Sequence, residues 1–113
     1  MSKDPAIFLK HILESIEQVE DYTKDLSEDR FMESIEKQDA VIRRLEIIGE
    51  AVKNLPEDFK EKHADVEWNK AMAIRNILIH QYFGIDLKIV WDTVGESLPE
   101  FKKQIESLLE DNK

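Results

Sequence analysis

Apolar positions recur at three- and four-residue steps almost from end to end of the chain, the spacing of one face of an α-helix. Asp4 followed by Pro5 is a helix start, a side-chain cap with proline in the first helical position. From there Leu9, Ile12, Ile16, Val19, Tyr22 and Leu26 form a single stripe. Ser27, with Glu28 and Asp29 behind it, caps a second helix with acids where the helix dipole favours them. Along it Phe31, Ile35, Gln38, Ile42, Leu45, Gly49 and Val52 alternate steps of four and three, and Val41, Ile48 and Leu55 widen the stripe. This predicts one uninterrupted helix, packed antiparallel on the first because the turn between them is so short. Asn54-Leu55-Pro56-Glu57 ends it and caps a short third helix that fades near His63. A fourth helix is expected from Asp65 to Phe83, stopped by Gly84. Asp86 caps a fifth, which carries Leu87, Val90, Trp91 and Val94. Ser97-Leu98-Pro99-Glu100 has the spacing of a capping box opening the last, with Phe101, Ile105, Leu108 and Leu109 on its apolar side. The expected fold is all-α, an up-and-down helical bundle with a long N-terminal helical hairpin, forming a single domain over residues 1–113.

Composition narrows the picture. Three glycines and three prolines in 113 residues are too few for a strand-and-turn protein, and an apolar fraction of 42% is that of a folded chain. Without a cysteine there is no disulfide, thiolate metal site or thiol nucleophile. No run approaches the roughly 18 apolar residues of a membrane span, and no basic segment followed by an apolar one opens the chain, so a cytoplasmic protein with no membrane partner is expected. The net charge of −9 argues against indiscriminate nucleic-acid binding, and no DNA partner is expected. The charge is uneven, however. Only residues 66–85 are not acidic, with Lys70 and Arg75 against Glu67, so this is the one segment that would welcome a phosphate. A buried segment would be charge-poor as well, and both explanations can hold together.

That segment is also unusual as a helix. From Ala71 to Ile79 only Arg75 and Asn76 are polar, so the helix is apolar nearly all round and must be covered on several sides. A bundle this small cannot supply every cover, which predicts a homodimer with this helix at or near the interface. At about 100° per residue Asn76 and His80 share a face, Arg75 and Tyr82 lie above one another on a neighbouring face, and Arg75 and His80 diverge by about 140°. The residues alone leave two kinds of role open. His80 could be a histidine favoured by the dipole at a helix C-terminus, Arg75 a partner for Glu50 or Glu46, and Tyr82 an aromatic whose hydroxyl reaches water. Alternatively, the imidazole supplies a proton-transfer group for neutral pH and the guanidinium a planar fork matched to phosphate oxygens, with Asn76 donating to the phosphate or orienting His80. RNA carries its own nucleophile in the 2′-hydroxyl, so such a set could cleave it without a metal.

Arg75-Asn76-x-x-x-His80-x-Tyr82 resembles the R-x-x-x-x-H motif of HEPN domains in the extended R-x-x-x-x-H-x-Y form of HepT toxins. Arg44-Leu45-Glu46-Ile47-Ile48-Gly49-Glu50-Ala51 is similar to the family's R-x-x-x-x-x-G-E-A segment. Trp68 before the motif and Val90-Trp91 followed by Leu98-Pro99 after it extend the likeness over residues 7 to 109. The resemblance implies a HEPN-type bundle and the toxin of a toxin–antitoxin pair. That toxin would be a metal-independent endoribonuclease with Arg75, Asn76 and His80 catalytic in a cleft shared by two subunits, leaving a cyclic 2′,3′-phosphate. It implies that a nucleotidyltransferase antitoxin silences the enzyme by adenylylating Tyr82. A non-catalytic HEPN subunit that binds a nucleotide or a partner transferase is the alternative, and a helical interaction protein with only a polar interface cluster is a third. Arg44 and Glu50 are expected to be structural or interface residues near Arg75, and His11 and His63 to be surface residues without useful neighbours. No cofactor or metal is expected, because there is no H-x-x-x-H pair and the carboxylates are spread along solvated faces.

Overall fold

In the computed structural model, residues 4–80 and 84–111 are described; 85% of them are helical and none is in a strand. Helix α1, Pro5–Thr23, starts where Asp4 accepts a hydrogen bond from the Ala6 N–H at 3.0 Å. It buries Leu9, Ile12, Ile16 and Val19, with Tyr22 half-buried beyond them.

The expected second helix is two. Helix α2, Glu28–Glu33, ends at Ser34, whose backbone is extended (φ −106°, ψ 98°), and α3, Ile35–Asn54, begins beyond it. The break stabilises itself: Ser34 Oγ accepts from the Lys37 N–H at 3.2 Å, while the Gln38 amide donates to the carbonyls of Phe31 (2.9 Å) and Met32 (3.0 Å). The Phe31 carbonyl also accepts from the Ser34 N–H at 3.2 Å, while the Met32 carbonyl, at the end of α2, depends on Gln38. Periodicity could not reveal this, because a serine offering the backbone an alternative hydrogen bond does not disturb the apolar phase. Its consequence is visible in burial. Phe31 is completely enclosed, whereas Ile35, expected in the stripe, is 72% exposed.

Short α4, Glu57–Lys62, follows Pro56, and α5, Trp68–His80, begins three residues later than Asp65 suggested. The turn between them is set by an indole instead of an aspartate. Trp68 donates to the His63 carbonyl at 2.9 Å while its ring, 5% exposed, meets Phe101 edge-on with centroids 6.0 Å apart. The expected end of this helix at Phe83 lies outside the described residues. Gly84 has φ +71°, a conformation that glycine adopts without the steric penalty of a side chain.

Helix α6, Leu87–Asp92, is capped by Asp86 as expected. It does not then stop. A π-helical turn, Thr93–Ser97, runs directly into α7, Leu98–Asp111, so Ser97 is not a cap and the two expected helices are one interrupted rod. Pro99 supplies the reason. It has no N–H to give to the preceding turn, and its ring would crowd the carbonyl four residues back; a widened turn just ahead of it relieves both demands.

Helix α3 is the centre of the bundle, with α1 packed on one side and α5 on another, while α7 packs against α1 and α2 against α6. The expected N-terminal hairpin is therefore present as α1 against α3. Ion pairs pin the periphery: Lys102 meets Glu20 at 2.8 Å, joining α7 to α1, and Lys88 meets Glu28 at 3.1 Å, joining α6 to α2. The hydrogen bond to Glu20 raises the Lys102 pKa above its usual value. No described helix is long and apolar enough to cross a membrane.

Gln38→Ala should lower stability by about 1–3 kcal/mol, since the Met32 carbonyl loses its donor and the Phe31 carbonyl one of two. The urea midpoint should fall at unchanged m-value. Gln18→Ala, on the exposed side of α1, should leave the midpoint where it is.

Candidate active site

Helices α3 and α5 are in close contact where Gly49 faces Arg75. A Cβ at residue 49 would collide with the Arg75 Cβ, lie 2.8 Å from its Cγ and 3.0 Å from the Ala71 carbonyl oxygen. The aliphatic stem of Arg75 therefore lies directly on the backbone of α3, where only glycine leaves room. The next residue, Glu50, takes the head group: Arg75 Nη2 stands 2.7 Å from Glu50 Oε2. Nη1 donates to Asn76 Oδ1 at 3.1 Å, and Asn54 braces Glu50 from the next turn of α3 through its Oε1 (3.4 Å) and carbonyl (2.9 Å). Of the five N–H donors of a guanidinium, these contacts use two. The Arg75 side chain is 19% exposed and that of Glu50 51%. Water therefore screens the pair from the glutamate's side, while the arginine's stem is covered by α3.

The sequence-predicted site residues are only partly brought together. Arg75 and Asn76 touch each other. His80, the last residue of α5, is exposed and makes no hydrogen bond or ion pair with the described residues. Asn76 and His80 share an exposed face with Ala73 and Ile77, whereas Arg75 is turned about 140° from His80 and faces α3. Within one chain the two principal groups thus point apart. Tyr82 lies outside the described residues. The expectation that α5 is covered on several sides is not met by this chain's own helices. Among its residues only Trp68 and Leu78 are buried, and Ile77 remains 41% exposed.

Two histidines differ from expectation. His63 is half-buried, its ring 4.7 Å from that of Phe59. His11, expected to have no useful neighbours, lines the same groove as Arg75. This groove, about 360 Å³, is walled by Phe8 and His11 of α1, by Arg43, Glu46, Ile47, Glu50, Ala51 and Asn54 of α3, and by Arg75 and Ile79 of α5. No local spacing could have joined His11 to Arg75, because the packing of α1 and α5 on neighbouring sides of α3 creates the neighbourhood. Glu50 stands beside Arg75 as expected, while Arg44 is half-buried and makes no hydrogen bond or ion pair with the described residues. Among the described residues no group of three or more His, Asp or Glu side chains is placed to hold a metal ion.

The all-helical bundle, with its arginine-and-histidine helix docked through a glycine onto the central helix, is consistent with a HEPN-type domain. The chain belongs to the HepT-like ribonuclease family, described as ribonuclease HepT-like, whose pattern matches residues 12–108. It is 51% identical over 111 residues to a Methanocaldococcus jannaschii protein named "gamma-glutamylcyclotransferase and putative RNase"; the match takes in 98% of this chain but spans only half of that relative's length. It is 41% identical to a "putative RNase" of Caldanaerobacter subterraneus subsp. tengcongensis, covering 98% of this chain and 99% of the relative. A "probable ribonuclease HepT" of Thermococcus cleftensis is 42% identical, covering 96% and 98% of the two chains. No solved structure matches the chain.

Gly49→Ala should destabilise the fold by about 1–3 kcal/mol, the usual cost of forcing extra volume into a close contact, and Gly49→Val by more. Thermal unfolding of the two variants beside the parent measures it. An Ala variant as stable as the parent would mean that α5 can move off α3 at little cost.

Proposed function

We propose that this chain is the toxin of a toxin–antitoxin pair, a metal-independent endoribonuclease acting through Arg75, Asn76 and His80 in a cleft between two copies. The observation that carries the reading is the condition of these three residues in a chain of this family. Arg75 is anchored yet keeps unused donors, while Asn76 and His80 sit exposed with no part in the core. A guanidinium held by its stem and two nitrogens can meet charge on a phosphate without first being ordered, which is where such a group contributes most to a transition state.

In the reaction, the 2′-hydroxyl oxygen attacks the adjacent phosphorus, the bond to the 5′-oxygen breaks, and a cyclic 2′,3′-phosphate and a 5′-hydroxyl result. One imidazole takes the proton from the 2′-hydroxyl and a proton must reach the departing 5′-oxygen, so two proton-transfer groups are needed. A two-fold dimer provides both as His80 and the partner subunit's His80. The divergence of Arg75 and His80 on one helix is bridged by Asn76, which meets the guanidinium at 3.1 Å and shares the exposed face of His80. The stripe of Ala73, Asn76, Ile77 and His80 is the natural contact, and a stable pairing would bury roughly 1,200 Å² or more in total.

Regulation follows the same logic. A nucleotidyltransferase antitoxin that transfers AMP from ATP to the Tyr82 phenol, releasing pyrophosphate, would add a phosphate and a base two residues past His80. Competition for the guanidinium and simple bulk then block the RNA.

His80→Ala should abolish cleavage of RNA with the fold intact, Arg75→Ala should do the same, and Arg75→Lys should fail to restore full activity because the planar fork is lost. Chelator should change little. Undiminished cleavage by the His80 variant would sink the mechanism. Absence of cleavage by the parent would favour a nucleotide- or partner-binding subunit instead.

Sedimentation should show a dimer at micromolar concentration. Tyr82→Phe should cut RNA yet escape silencing by the transferase with ATP and Mg²⁺, and a Phe variant silenced as fully as the parent would leave complex formation as the inhibitory step.

A further inference from the structure

The groove between α1, α3 and α5 holds polar groups that neither the fold nor the proposed chemistry uses. On α3, Arg43, Glu46, Ile47, Glu50 and Asn54 follow one another at helical spacing along its wall, and His11 and Arg75 face it from the helices on either side. Glu50 is taken by Arg75 and Asn54. Arg43 and His11 have no hydrogen bond or ion pair to any described residue, and Arg43 does not pair even with Glu46 one turn on. Two of the chain's four arginines therefore share one groove, in a chain whose net charge is −9. There they balance the groove's two glutamates. Elsewhere the chain is strongly acidic, so a polyanion meets less repulsion here than over most of the surface. The volume, about 360 Å³, is within the range of about 300–1,000 Å³ of sites that take a small ligand.

We propose that this groove is the track of the RNA strand, in which Arg43 and His11 contact a phosphodiester next to the one that Arg75 faces; the assignment rests on the nuclease reading above. Arg43 offers the planar donor fork suited to phosphate oxygens, and His11 a ring donor across the groove from it. Ile47 and Ile79 give the sugar and base an aliphatic wall. Glu46 can only accept hydrogen bonds while ionised, so it suits a ribose 2′-hydroxyl and not a phosphate. The Arg75–Glu50 pair closes one side of the track, and its three remaining N–H donors are what the strand meets there.

The test measures binding and needs no cleavage. In the His80→Ala background, the affinity for a short fluorescein-labelled single-stranded RNA of mixed sequence is read by anisotropy across a salt series. Arg43→Ala should weaken binding about tenfold, the worth of one charge-assisted contact, and should reduce the slope of log affinity against log salt by about 0.7, one phosphate contact on a single strand. Arg43→Lys should recover the slope but only part of the affinity. His11→Ala should weaken binding by several-fold, and Arg30→Ala, on α2, should change neither quantity. Thermal melts check that each variant is folded. Affinity and slope unchanged in Arg43→Ala would overturn the track, and so would an equal loss in Arg30→Ala. The two readings fail separately. A parent that never cuts RNA but shows this binding pattern loses the nuclease assignment and keeps the groove, whereas a parent that cuts while Arg43→Ala binds normally does the reverse.

Discussion

Arg75 occupies its place because residue 49 has no side chain. The absence lets α5 settle onto the backbone of α3, with the arginine's stem filling the gap that a methyl group would otherwise claim. Everything distinctive about the site depends on this approach. It brings the guanidinium within 2.7 Å of the carboxylate one residue further along α3, and that carboxylate is steadied in turn by Asn54. A glycine inside a helix costs about 0.5–1 kcal/mol relative to alanine, a cost the chain accepts where the close contact requires it. The Gly49-Glu50 sequence thus has a mechanical meaning: one residue makes room for the arginine and the next holds its charge.

The rest of the bundle serves to keep α3 central and straight enough for this contact. Helix α1 covers one side and α7 backs α1, while the break at Ser34 lets α2 turn Phe31 into the core and reach α6. The rod formed by α6, the π-helical turn and α7 accommodates Pro99 without ending, so Trp68 finds Phe101 and fixes the start of α5.

The same geometry turns the two principal groups of the motif apart. An arginine drawn inward to a glycine and a histidine five residues later cannot face one cleft on a straight helix, since about 100° per residue carries them to different sides. Asn76, adjacent to the arginine and one turn before His80, is the residue that joins the two faces, and its hydrogen bond to Arg75 is the observed link. Ala73 and Ile77 lie exposed on the same face as the histidine.

The sequence by itself determined the all-helical class, the apolar faces of α1, α3 and α7, the caps at Asp4, Ser27 and Asp86, and the motif with its glycine–glutamate counterpart. These are local properties, in which periodicity and capping chemistry act over a few residues. It could not show that Ser34 breaks a helix whose phase continues through it, or that Ser97 lies inside a rod and not at its start, because in both cases the local signal fits either conformation. Nor could it join His11 and Arg43 to Arg75, although the helical angle had already turned His80 away from the arginine. Those relations are set by which sides of α3 the neighbouring helices occupy, and this is decided by the packing of side chains far apart in the chain. The tertiary structure alone made one groove from three helices.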